Sequence, residues 1–343
     1  MRPDILVLGS GGVLGEAWLT GVLAGIEDGA GFDLRACEYF VGTSAGAVVA
    51  ARLAAGTRPR RPLDLGGSRP LDAGDSGPDA GLLVVTGADG DRGPQLSITA
   101  AARSALTLAE RAVVNAAERA GAVAAWGATA ALSASAPVMP LGLALAAPGG
   151  ALARAVALWA LPRPPAEFSE LRDELAELSA RFDGRLRVVA VARASGRRTV
   201  FGQPRAPHAR VADAVEASCA APWLVGPVRI DGVEYVDGGI WSPTNLDVAP
   251  ARRDTQVLCL SPTASPFGPP MSPLGGPLSP VARRVSRSVT LLEAAALRGR
   301  RAAVRLVAPD EETAAAIGDD LMDSGRAEHV LLIGYRQGLR LGE

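Results

Sequence analysis

The chain has 343 residues, 48% of them hydrophobic but only 4% aromatic, with 40 glycines and 26 prolines. That suffices for a sizeable core of Ala, Val and Leu and excludes global disorder; the length fits two domains or one large α/β domain with insertions. The net charge is −1 and the 35 basic residues are all arginine, so nothing marks a nucleic-acid binder, and Schiff-base, P-loop-lysine and Ser-Lys chemistry are excluded.

In chain order, Ile5–Leu8 reads as a short buried strand, too short for a signal-peptide core, so the cytoplasm is the expected location. It runs into a glycine-rich turn, Gly9 to Gly15. The helix that follows carries Trp18, Leu19, Val22, Leu23 and Ile26 on one face and stops at Gly29 and Gly31. A strand over 39–41 turns sharply at Gly42 to Gly46 into a helix over 45–55. This repetition of strand, turn and helix signals an α/β protein.

Residues 57–95 are rich in Pro, Gly, Asp and Arg and read as a mobile insertion. Residues 97–119 read as helical. Residues 120–153 carry no charge, but serines, prolines and glycines interrupt them. A membrane span needs roughly 20 consecutive apolar residues. Buried helices, a lid or a lipid-facing surface are the expected alternatives.

An amphipathic helix is expected over 167–182, and a hairpin pairs 186–191 with 199–201 around Ser195 and Gly196. Val211–Cys219 reads as a short helix. A second hairpin turns at Asp231 and Gly232 and delivers Asp237-Gly238-Gly239. Gln256–Leu260 reads as a strand, 261–280 as a loop, and 281–306, 310–322 and 325–341 as helices.

Three strand ends carry candidate chemistry. Gly42-Thr43-Ser44-Ala45-Gly46 fits G-x-S-x-G, in which two glycines let a strand reverse so tightly that the serine hydroxyl is exposed. A helix N-terminus there favours developing negative charge. The same residues also fit a glycine-lined turn with a capping serine. Ser10-Gly11-Gly12 would expose consecutive backbone N–H groups to an oxyanion or a phosphate. The G-x-G-x-x-G register of a dinucleotide site fails, because its last position falls on Leu14. Asp237 fits either a base or a plain turn residue.

The order of glycine-rich loop, G-x-S-x-G and D-G-G resembles the patatin-like phospholipases. Gly11 to Gly15, Gly42 to Gly46 and Asp237 to Gly239 carry the match, and residues 212–222 (ADAVEASCAAP) look similar to the family's bacterial members. The resemblance covers residues 4–56 and 185–260 well. It implies a three-layer α/β/α sandwich around a central, mostly parallel sheet. A single catalytic domain would span 4–343, with the mobile insertion at 57–95 and an Ala-rich insertion or lid at 97–165.

The resemblance also implies a Ser-Asp dyad acyl hydrolase that cleaves lipid esters such as phospholipids or acylglycerols, with no cofactor or metal. Ser44 would be the nucleophile and Asp237 its base. The backbone N–H groups of Ser10, Gly11 and Gly12 would form the oxyanion hole, and Gly15, Gly42, Gly46, Gly238 and Gly239 would be motif glycines. Partners would be a lipid or acyl-ester substrate, with peripheral membrane contact. The alternative within the same fold is a weakly active or inactive lipid-binding protein. Two positions depart from the family pattern: Leu14 stands where Arg or Lys is usual, and Ser10 where glycine is usual.

Two histidines, His208 and His329, exclude a His-rich metal site. The order Ser44, Asp237, His329 would permit an α/β-hydrolase triad, but that fold places its serine elbow after several strands, and Ser44 follows about two. Asn245, in Ser242-Pro243-Thr244-Asn245, could orient the site or simply cap a Pro turn. Cys37, Cys219 and Cys259 show no paired spacing and read as small core residues.

Overall fold

The run Ile5–Leu8 forms β1, and its alternation serves two cores. Leu6 and Leu8 enter one, Ile5 and Val7 the other, because successive strand side chains point to opposite faces. The structure is a computed structural model describing residues 2–62, 150–268 and 280–343, apart from 162–163, 165–167, 179 and 223. The expected insertion at 57–95 and the Ala-rich insertion at 97–165 lie largely outside the described residues.

After β1 come α1 (Gly12–Ala30), β2 (Tyr39–Thr43), α2 (Ala45–Ala54), α3 (Gly150–Ala160), α4 (Ser169–Glu177), β3 (Leu186–Ala192) and β4 (Arg197–Phe201). They are followed by α5 (Val211–Cys219), β5 (Val228–Ile230), β6 (Val233–Asp237) and β7 (Gln256–Leu260). The last elements are α6 (Pro280–Gly299), β8 (Ala303–Val307), α7 (Glu311–Ile317) and α8 (Ala327–Gly342).

The strands make one sheet in the order β5-β6-β3-β2-β1-β7-β8, with β4 also paired to β3. The β1–β2, β1–β7, β2–β3 and β7–β8 pairings are parallel; β4, β5 and β6 enter antiparallel. Helices α1, α2, α4, α5 and α8 pack on one face through Leu19, Val48, Leu171, Val215 and Leu331. Ala294 and Leu297 of α6 and Leu158 of α3 cover the other. The result is the α/β/α arrangement expected from the sequence. Trp18 of α1 donates its indole N–H to Gln337 of α8 at 2.8 Å, pinning the closing helix. No helix among the described residues is long and apolar enough to cross a membrane.

Three expected helices are shorter. The helix expected over 281–306 ends at Gly299, and Ala303–Val307 is strand β8. Arg301 turns the chain at φ 63, Val304 and Leu306 pack alternately on the second core, and the open edge of β7 supplies a parallel partner. The helix expected over 310–322 ends at Ile317, where Gly318 has φ 63. The helix expected over 167–182 is confined to Ser169–Glu177.

Candidate active site

Ser44 sits between β2 and α2 with φ 53 and ψ −125. A non-glycine residue there costs on the order of 1–3 kcal/mol and persists only where its surroundings hold it. They do so by close approach. A methyl at Gly46 would stand 2.1 Å from the Leu8 carbonyl oxygen, so only glycine lets the start of α2 lie against the end of β1. The Ser44 N–H donates to Ser218 Oγ at 2.9 Å, and that hydroxyl donates to the Val189 carbonyl at 2.6 Å. Ser44 makes no side-chain cap bond to α2, so its hydroxyl is not spent on capping.

Asp237 arrives from the end of β6. Val189 of β3 lies opposite Thr43, and the next residue, Ala190, lies opposite Asp237. One central strand thereby brings together the serine turn and the acidic loop. Both side chains are 8% exposed. The Asp237 carboxylate accepts a hydrogen bond from the Gly239 N–H at 2.6 Å, and the nearby Ser44 side chain favours its charged form. Burial pushes its pKa up to about 6, against the pull of the Gly239 N–H and of the nearby Ser44 side chain. Burial keeps the neighbouring Cys219 thiol protonated. All three cysteines are free and buried, as expected of small core residues.

The glycine loop lies against the acidic loop: a methyl at Gly239 would be 3.4 Å from Ser10 Oγ. Ser10, Gly11 and Gly12 do not present three open donors. The Ser10 N–H already donates to the Pro243 carbonyl at 2.8 Å, a long-range contact that a local glycine pattern cannot reveal. Gly11 and Gly12 remain, at the start of α1, where N–H groups lack intrahelical acceptors. Gly12 has φ +60, and a methyl there would lie 2.9 Å from Met322 Sδ. The Leu14 N–H donates to Leu321 O at 3.0 Å, so the segment around Leu321 braces the loop. Leu14 is fully buried in the core, and Ser10 does not need a positive φ. Gly15 lies in the first turn of α1, and Gly238 and Gly239 form the turn after β6.

His208 and His329 are both exposed, whereas Ser44 and Asp237 are buried. The triad is therefore not assembled. A groove of about 220 Å³ lies along α1 and α2 over Val13, Glu16, Val49 and Arg52, and neither Ser44 nor Asp237 lines it. No cluster of metal-ligating side chains occurs among the described residues.

Two further polar groups, the buried Asn245 and the partly buried Glu293, hold the segment that follows the acidic loop. Asn245 bridges the segments that hold Ser44 and Asp237. Glu293 of α6 accepts from Thr244 Oγ1 at 2.8 Å and the Leu246 N–H at 2.9 Å. Burial, with the charge of Asp247, pushes its pKa up to about 7. Sequence reasoning weighed Asn245 but missed Ser218 and Glu293. Ser218 stands inside the ADAVEASCAAP segment, but its partners are remote in sequence and left no local signal.

The patatin-like phospholipase model matches residues 6–250, and the chain belongs to that family, one of lipid acyl hydrolases. Among solved structures, the crystal structure of VipD from Legionella pneumophila aligns at 16% sequence identity with a TM-score of 0.42, covering 99% of this chain and 67% of that one. No curated protein matches the sequence.

Proposed function

We propose that this protein is a serine acyl hydrolase with a Ser44–Asp237 dyad, cleaving acyl ester bonds of lipids such as phospholipids or acylglycerols. The single observation that carries the reading is the buried Asp237 carboxylate, its pKa raised to about 6, on the loop that β3 sets beside the Ser44 turn. An ordinary aspartate, near 3.8, is a poor base at neutral pH; a raised pKa brings proton acceptance closer to working conditions. Ser44 Oγ attacks the acyl carbonyl as its proton passes to Asp237. The oxyanion is held by the N–H groups of Gly11 and Gly12, with the N-terminus of α2 adding favourable potential. Collapse expels the alcohol, which takes the proton from Asp237. Water then attacks the acyl-enzyme with Asp237 again as base. No histidine takes part. Trp159, 80% exposed on α3, supports peripheral contact with a lipid surface, where indole rings are favoured.

One observation favours a second reading, a lipid-binding protein of this fold with little turnover: the Ser10 N–H is committed to Pro243. Fluorophosphonate labelling and hydrolysis of a short p-nitrophenyl ester separate the two. The dyad reading expects labelling at Ser44, and a loss of about 10³-fold or more in Ser44→Ala and Asp237→Asn. Activity surviving both substitutions would overturn it. A folded protein that never labels at Ser44 supports the second reading.

A further inference from the structure

Asn245 stands in the turn after the acidic loop, fully buried, with φ 48 and ψ 37. Its amide nitrogen donates to Thr43 Oγ1 at 3.1 Å, to the Gly238 carbonyl at 3.3 Å and to the Ser242 carbonyl at 2.9 Å. Its amide oxygen accepts from Arg198 Nη1 at 3.2 Å. Arg198 is itself held by both carboxylate oxygens of Asp247, at 2.6 and 2.7 Å. The orientation of the amide follows from these partners: two carbonyls require the NH₂ side, and a guanidinium requires the oxygen. Thr43 immediately precedes Ser44, and Gly238 immediately follows Asp237. One planar group therefore spans the two segments, distant in sequence, that carry the dyad. The Thr43 hydroxyl completes the tie by donating to the Thr244 carbonyl at 3.4 Å.

We propose that Asn245 is a positioning residue, whose amide sets the distance between Ser44 and Asp237 by tying Thr43 to Gly238. The inference rests on the dyad reading above. The chemistry of the position calls for a neutral donor. Aspartate would keep the shape but turn an acceptor toward two carbonyls, and an aliphatic side chain would leave them unpaired. Small displacements at a reacting pair are costly in rate: misplacement by about 1 Å can cost about 10²-fold.

The test uses Asn245→Asp, Thr43→Val and the double variant, in the full chain. Hydrogen exchange over residues 42–46 and 237–241 is read beside kcat and KM for a p-nitrophenyl ester. Asn245→Asp is expected to speed exchange in both segments and lower kcat by about 10- to 100-fold, with KM within about twofold. Thr43→Val should cost much less in the Asn245→Asp background than in the wild type, because the two share one tie. Unchanged kcat, exchange faster in one segment alone, or additive effects would overturn the proposal. Should Asn245→Asp not fold, Thr43→Val alone carries the exchange and kcat measurements. A wild type that does not turn over defeats the hydrolase reading instead. Exchange then decides the tie alone: loosening of both segments supports it, and no change overturns it.

Discussion

Ser218 holds the backbone of Ser44: its Oγ accepts the Ser44 N–H at 2.9 Å and donates to Val189 O at 2.6 Å. Ser218 is fully buried, so Ser218→Ala leaves a buried N–H and a buried carbonyl without this partner. The expected cost is about 1–3 kcal/mol in urea denaturation, together with slower fluorophosphonate labelling at Ser44. Stability and labelling both equal to wild type would show that the strained turn holds itself.

Hydrolysis should rise with pH through about 6, the Asp237 value, because a protonated carboxyl cannot take the serine proton. The acid limb of kcat/KM against pH reads this directly. A midpoint near 4 would mean that Asp237 titrates as an ordinary carboxylate. The double variant His208→Gln, His329→Gln should keep the profile unchanged, and loss of turnover with an intact fold would revive the triad.

Stability should fall between mildly acidic and alkaline pH. Asp237 and Glu293 have folded pKa values of about 6 and about 7, above the ordinary 3.8 and 4.5. The folded chain then holds more protons than the unfolded one, so their contribution is fully present below the ordinary values. It is lost as pH rises through about 6 and about 7. Asp33 runs the other way: Arg35 holds it down to about 2, so its contribution is lost only in stronger acid. Melting scans should give a maximum near pH 4. Asp237→Asn should stabilise by up to about 3 kcal/mol at pH 8 and do little at pH 4. An equal effect at both pH values would contradict burial of the charge.

Gly46→Ala should be severely destabilising, by about 3 kcal/mol or more. Its methyl would stand 2.1 Å from the Leu8 carbonyl oxygen, and backbone of a central strand cannot yield. A melting temperature within a degree or two of wild type, read by circular dichroism, would mean that α2 can lift from β1.

The sequence by itself determined the local pieces. Ile5–Leu8, Val211–Cys219 and Gln256–Leu260 fall where hydrophobic runs and helical spacing placed them, because those patterns act over a few residues. The turn glycines around Ser44 and Asp237 were readable for the same reason. Tertiary structure alone decided the rest. β8 became a strand because β7 had an open edge for Ala303–Val307 to pair with. The Ser10 N–H was taken by Pro243, and Ser218 and Asn245 found partners on other strands. The meeting of Ser44 with Asp237 depends on the register of β3, where Val189 and Ala190 face Thr43 and Asp237. Such contacts join segments nearly two hundred residues apart, and their register is set by the burial of whole sheet faces rather than by any local pattern.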